Sequence, residues 1–203
     1  MFILDMSSGN LCNNSTVIIE KMINAVAEID HKRIIILKWQ LFKEAGNNIP
    51  LDREIFRYAY EYAKDLGFKT TASVFDIDSL NFLLQFDISF VKIANRPDLY
   101  WLIGKVPREI PVIVSGQKVY YNSDGLCCIS KYPATMEEYE QNFMENDLRS
   151  GISDHTCSWE LFRKYHPENY ECHFCLSHDP QNPDGGMFAR LPSDIKEIYN
   201  DIK

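Results

Sequence analysis

Short apolar runs alternate with longer amphipathic stretches from the first residues onward. Phe2 to Met6 reads as a compact apolar strand. Ser15 to Ile29 follows, with Ile18, Met22, Val26 and Ile29 at the spacing of one helical face. Arg33 to Phe42 contains the unbroken run Ile34-Ile35-Ile36-Leu37, which suits a strand covered on both faces. After a loop at Asn47, Asn48 and Pro50, Asp52 is the expected cap of a helix that buries Ile55, Ala59, Ala63 and Leu66 and stops at Gly67. Lys69 to Phe75 is a third strand. Ile77 to Phe86 is a short helix with Leu80 and Leu83 inward. Phe90 to Ala94 is a fourth strand, Leu99 to Val106 a helix, and Pro111 to Ser115 a fifth strand.

The rhythm breaks between Gln117 and Gly125, where Asn122-Ser123-Asp124-Gly125 is a turn signal and no full crossover helix fits. Leu126 to Ser130 resumes as a sixth strand. Thr135-Met136-Glu137-Glu138 has the form of a capping box opening a helix. Gly151 to His155 and Tyr170 to Cys175 read as the last two strands, with a helix from Trp159 to Tyr165 between them. Asp179 to Gly186 is a polar loop, and Ser193 is the expected cap of a final helix carrying Ile195, Ile198, Tyr199 and Ile202. About eight strands alternating with about seven helices predict a minimal (β/α)8 TIM barrel, one domain over 1–203, with the helix after strand 5 missing or replaced. The runner-up is an open doubly wound sheet, but Ser7-Ser8-Gly9-Asn10 is no glycine-rich phosphate loop.

Bulk properties narrow the partners. A net charge of −8 argues against nucleic acid or anionic membrane. No apolar run is long enough for a bilayer, and Asp5 interrupts the N-terminal run too early for a signal peptide. Six cysteines without a secretion signal point to a reducing cytoplasmic setting. Tyr58, Tyr60, Tyr62 and Trp101 read as core or subunit contact. Tyr120 and Tyr121 suggest a seam for a homodimer.

In a barrel the chemistry gathers at the C-terminal ends of the strands. Those positions hold Asp5, Lys38, Gln40, Ser73, Asp76, Lys92, Asn95, Ser115, Ser130, Tyr132, Ser153 to His155, Glu171 and His173. Two lysines among many hydroxyls suit a phosphorylated or carboxylated small molecule. The alternative is that they pair with Asp5, Asp76 or Glu171 for structure alone. His155 and His173, 18 residues apart across a strand–helix–strand unit, should reach one rim, with Glu171 pointing the same way as His173. Such a group suits a divalent metal, or equally a pair of hydrogen-bonded histidines. Cys172, His173, Cys175 and His178 also spell a possible zinc set, but adjacent strand residues face opposite sides. Cys127 and Cys128 read as core.

These strand ends resemble the N-acetylneuraminate (sialic acid) synthases. Leu37-Lys38-Trp39-Gln40, Ser73-Val74-Phe75-Asp76, Val91-Lys92-Ile93-Ala94 and Pro111-Val112-Ile113-Val114-Ser115 are similar to that family's strand motifs, in order. So are Cys128-Ile129-Ser130-Lys131-Tyr132-Pro133, Gly151-Ile152-Ser153-Asp154-His155-Thr156 and Glu171-Cys172-His173-Phe174. The resemblance implies metal-assisted condensation of phosphoenolpyruvate with an N-acyl hexosamine or related aldehyde sugar, releasing phosphate. It implies that Lys38, Ser73, Lys92, Asn95, Ser115, Ser130 and Tyr132 hold phosphoenolpyruvate, that His155 and His173 bind Mn²⁺ or Mg²⁺, and that Gln40 and Asp184 meet the amino sugar. Glu171 would orient the metal site or handle a proton. Asp5 stands where the family has a catalytic glutamate, Asn10 where it has a pocket histidine, and Asn95-Arg96-Pro97 where it has Ser-Gly-Glu. The resemblance covers the catalytic barrel, with no counterpart expected for the family's C-terminal antifreeze-like domain. The departures at Asn10 and Pro97 motivate a second reading, an impaired barrel that binds phosphoenolpyruvate or a related anion without turnover.

Overall fold

A computed structural model describes residues 1–43, 46–116, 124–142 and 150–202. Eight parallel strands close into a barrel in strict sequence order. They are β1 (Phe2–Asp5), β2 (Ile35–Leu41), β3 (Lys69–Val74), β4 (Val91–Ile93), β5 (Val112–Gly116), β6 (Asp124–Cys128), β7 (Gly151–Asp154) and β8 (Asn169–His173). The helices are α1 (Gly9–Cys12), α2 (Thr16–Ala27), α3 (Arg53–Asp65), α4 (Ile77–Leu83), α5 (Met136–Asn142), α6 (Glu160–Tyr165) and α7 (Pro192–Ile198). The barrel matches the expectation. No helix among the described residues is long and apolar enough to cross a membrane. The expected absence of a full helix after β5 and the expected seam at Tyr120 and Tyr121 fall on 117–123, outside the described residues.

Period-two alternation sorts every strand into an outer and an inner set. Outward residues such as Leu4, Leu37, Trp39, Val91, Val114, Cys127, Ile152, Tyr170 and Cys172 form the large core under the helices. Inside, Ile3, Ile36, Phe90, Ile113 and Leu126 form a separate apolar cluster. Two residues further along the same strands stand Asp5, Lys38, Lys92, Ser115 and Cys128, all buried. The barrel interior is thus layered: an apolar plug at the N-terminal end, then a charged floor, then a polar rim.

Local chemistry explains where the elements differ from expectation. The segment after β4 is a 3₁₀ helix, Pro97–Lys105, starting two residues before the expected helix, with Pro97 in its first turn. Helix α1 is one turn that the apolar pattern does not announce; the Ser8 side chain accepts from the Asn10 N–H. Helix α3 buries Phe56, Ala59, Tyr60 and Ala63, a face rotated from the expected one, with Ile55 and Leu66 half-buried. Asp52 occupies the α3 cap position without a side-chain hydrogen bond. The final helix is capped by Leu191 with Pro192 behind it, not by Ser193, and Asp194 accepts from the Leu191 N–H at 2.8 Å. The Thr135–Glu138 capping box forms, at 2.8 and 3.2 Å. Tyr60 is core, whereas Trp101 is 53% exposed.

Phe90 anchors the interior plug, and the Thr71 hydroxyl donates to its carbonyl. Truncating it opens a cavity that neighbouring strands cannot close. Phe90→Ala is expected to lower stability by about 3–5 kcal/mol in urea unfolding. A loss below about 1 kcal/mol would show that the interior layer does not support the barrel.

Candidate active site

The C-terminal mouth opens into a cavity of about 340 Å³. Asp5, Lys38, Gln40, Ser73, Lys92, Asn95, Ser115, Ser130, Tyr132, His155, Glu171, His173 and Asp184 all line it. So every residue given a role by resemblance sits in one place, with all the strand-end positions except Asp76 and Asp154. Asp76 caps α4, accepting from the Ser79 N–H at 2.7 Å, and Asp154 pairs with Arg190 at 3.1 Å. Cys128 is buried, as expected, and also lines the cavity, because it shares the inner face with Ser130. Cys172 lies in the outer core while His173 lines the cavity, so the cysteine–histidine zinc set does not assemble.

The floor is a buried charge network. Lys38 Nζ lies 2.6 Å from Asp5 Oδ2, donates to Ser73 Oγ at 3.0 Å, and sits 3.6 Å from Glu171 Oε1. Lys92 Nζ lies 3.7 Å from the same Glu171 oxygen and donates to Ser115 Oγ at 2.6 Å. Ser153 Oγ donates to Glu171 Oε1 at 3.0 Å. Glu171 faces the cavity as expected, but its partners are the two ammonium groups rather than the histidines. Its other oxygen, Oε2, is buried with no hydrogen-bond partner among the described residues.

Electrostatics follow from this geometry. Burial opposes ionisation of Asp5, yet Lys38 and His173 outweigh it and hold the carboxyl at about 2. Burial also works against charge on Lys38, and there Asp5 and Glu171 reverse the balance and raise its pKa. At Lys92 burial wins over the pull of Glu171, with Lys38 adding to the fall, so its pKa is lowered. Burial opposes the Glu171 carboxylate, and the two lysines overcome it and lower its pKa.

The rim carries the imidazoles. Their ring centroids are 5.3 Å apart. His155 Nδ1 is 2.6 Å from the Ile129 carbonyl, which assigns the proton to that nitrogen and leaves Nε2 with a lone pair. Burial, with His173 adding to it, pushes the His155 pKa down to about 3, so the ring stays neutral as a metal ligand must. His173 Nδ1 is buried without a hydrogen-bond partner and lies 3.9 Å from Asp184 Oδ1. Among the described residues no three His, Cys, Asp or Glu side chains are grouped to hold an ion. The two imidazoles nonetheless suit a divalent ion as a pair, one with its proton fixed and one with an orphaned nitrogen. Tyr132, joined to Pro133 by a cis peptide bond, lays its ring 4.2 Å from that of His155. Asn95 Nδ2 donates to Ser130 Oγ at 3.0 Å, tying the loop after β4 to the loop after β6.

No family model and no curated protein sequence matches the chain. Solved structures do. An N-acetylneuraminic acid (sialic acid) synthetase from Leptospira borgpetersenii serovar Hardjo-bovis, in complex with citrate, aligns at TM-score 0.79 and 17% identity, over 99% of this chain and 81% of that one. This chain has the barrel fold of the sialic acid synthetases. The spore coat polysaccharide biosynthesis protein SpsE from Bacillus subtilis aligns at TM-score 0.73 and 18% identity, over 100% of this chain and 66% of its own. A phospho-2-dehydro-3-deoxyheptonate aldolase (DAHP synthase) from Thermotoga maritima aligns at 0.67 and 12%, over 100% and 68%.

Sequence reasoning did not single out Ser7, which is buried and sends its hydroxyl to Asp184, whereas Ser153, one of the expected strand-end residues, lines the cavity beside Glu171. Removing the shared carboxylate should expose what the floor depends on. Glu171→Gln is expected to cost about 3–5 kcal/mol, because both lysines lose a buried counter-charge. Lys92→Met added to it should recover part of that loss in urea unfolding; a double variant losing the sum of both single effects would contradict the shared pairing.

Proposed function

We propose that the chain is a sialic-acid-synthase-like enzyme. It condenses phosphoenolpyruvate with an N-acyl hexosamine or related aldehyde sugar and releases phosphate. The observation that carries this reading is the floor itself: two buried ammonium groups, each donating to a serine hydroxyl, share one carboxylate within one cavity. A protein rarely keeps two lysines buried this way unless an anion visits them.

Lys38 and Lys92, with Ser73 and Ser115, receive the anionic groups of phosphoenolpyruvate, and Asn95, Ser130 and Tyr132 close over it from the loops after β4 and β6. Gln40 and Asp184 meet the hydroxyls of the sugar. His155 and His173 would hold Mn²⁺ or Mg²⁺, which supplies Lewis-acid polarisation of the sugar's aldehyde oxygen when bound. A bond forms between C3 of phosphoenolpyruvate and the aldehyde carbon. Water adds at C2, the C2–O bond breaks, and phosphate leaves as the 2-keto acid forms. Water gives up two protons: the first is balanced by the proton gained by the former aldehyde oxygen, and the second leaves the C2 hydroxyl for the departing phosphate as the ketone forms. Glu171, beside both lysines, is the carboxylate assigned to the first of these. Asp5 keeps Lys38 charged and, through Gln40 Nε2 at 3.0 Å, orients the amide toward the sugar.

Incubation with phosphoenolpyruvate, Mn²⁺ and a panel of N-acyl hexosamines and simple aldoses tests this directly. Phosphate release should need both metal and acceptor. Lys38→Met and Lys92→Met should each raise KM for phosphoenolpyruvate by roughly tenfold or more, the loss of a charge-assisted contact. Phosphoenolpyruvate binding without release for any acceptor would favour the impaired barrel instead.

A further inference from the structure

The loops after β1, β2 and β8 meet at one amide. Asn10 Nδ2 donates to Asp184 Oδ2 at 2.6 Å and to Asn48 Oδ1 at 2.9 Å. Asn10 Oδ1 accepts from the Ile49 N–H at 2.7 Å, and its carbonyl accepts from Asn182 Nδ2 at 2.6 Å. Ser7, held at φ 68°, sends its hydroxyl to the same Asp184 Oδ2 at 2.6 Å. Two donors on one carboxylate oxygen fix the rotation of the group. The other oxygen, Oδ1, is left facing His173 Nδ1 at 3.9 Å, within the cavity lining.

The backbone is built for this junction. A Cβ on Gly9 would lie 2.5 Å from the Pro50 carbonyl oxygen and 2.6 Å from Ile49 Cγ2, so only glycine lets the first loop approach the second. Asn182 Oδ1 accepts from the Asp184 N–H at 3.0 Å, so the third loop is pinned at the residue it presents.

We infer that Asn10 and Ser7 are positioning residues that aim Asp184 Oδ1 at a hydroxyl of the acceptor sugar, setting acceptor affinity through Asp184 and not through contact of their own. This rests on the proposed reaction in taking the acceptor to be a polyhydroxylated aldehyde. Asn10 is here a hydrogen-bond hub; a side chain of different shape at that position could not serve Asp184, Asn48 and Ile49 together.

The test is a double-mutant cycle on the full chain. Asn10→Ala and Ser7→Ala should each raise the acceptor KM by roughly tenfold, with KM for phosphoenolpyruvate little changed. In the Asp184→Ala background the same substitutions should add almost nothing, because they act through the missing carboxylate. Asn10→Gln, which keeps the amide but moves it by one methylene, should rescue only in part. Calorimetric titration with N-acyl hexosamines and simple aldoses runs the same cycle on binding alone. Sugar binding that follows the cycle without any phosphate release would sustain the positioning role and overturn the proposed reaction. Equal effects with and without Asp184, or equal rises in both KM values, would overturn the positioning role while leaving the reaction intact. A parent protein that binds no sugar overturns both.

Discussion

Two lysines are held inside a closed barrel, and the rest of the site is arranged by what it takes to keep them there. An unpaired ammonium in an apolar interior costs several kcal/mol. Asp5 and Glu171 offset that cost at Lys38, Glu171 offsets only part of it at Lys92, and Ser73, Ser115 and Ser153 complete the hydrogen bonding around the lysines and Glu171. With the two lysines, those groups come from seven different strands. Their meeting depends on register: Asp5 is paired with Lys38 across β1 and β2, Ser73 with Lys92 across β3 and β4, and Ser153 with Glu171 across β7 and β8. Slipping one strand by one residue would turn its polar group out into the apolar core.

The layers above and below gain their meaning from that floor. The apolar plug of Ile3, Ile36, Phe90, Ile113 and Leu126 seals the barrel beneath it, leaving the mouth as the way in. The rim adds groups of another kind: two imidazoles, the Tyr132 ring and the hydrogen-bonded loops around Asp184. The lysine–carboxylate floor and the imidazole rim are separated by one pleat repeat along the strands, as Glu171 and His173 show. An anion low in the barrel would therefore lie beside a rim-bound carbonyl compound, the juxtaposition a condensation needs.

Much of this was legible from residue order. The unbroken apolar run at Ile34 to Leu37, the alternation along each strand, and the polar residue at each strand end were enough to place eight strands and bring the lysines and histidines to one mouth. The sialic acid synthetase and DAHP synthase structures share this architecture at 17% and 12% identity. What sequence could not show was which partner each charge would take. Glu171 belongs to Lys38 and Lys92, residues 133 and 79 positions away, because closure of the barrel sets those distances and local spacing does not. The same holds for Asn10, whose partner Asp184 is 174 residues distant. Helix-face errors have a nearer cause: Phe56 and Tyr60 win the buried side of α3 through ring contacts with Phe82 and Phe86 that no periodicity count includes.

The most direct test is a crystal structure of the protein grown with phosphoenolpyruvate and Mn²⁺. The phosphate or carboxylate oxygens should lie within hydrogen-bond distance of both Lys38 Nζ and Lys92 Nζ, with Glu171 drawn away from at least one of them. Lysines still paired only with Glu171 and Asp5, and phosphoenolpyruvate bound elsewhere or not at all, would contradict the central claim.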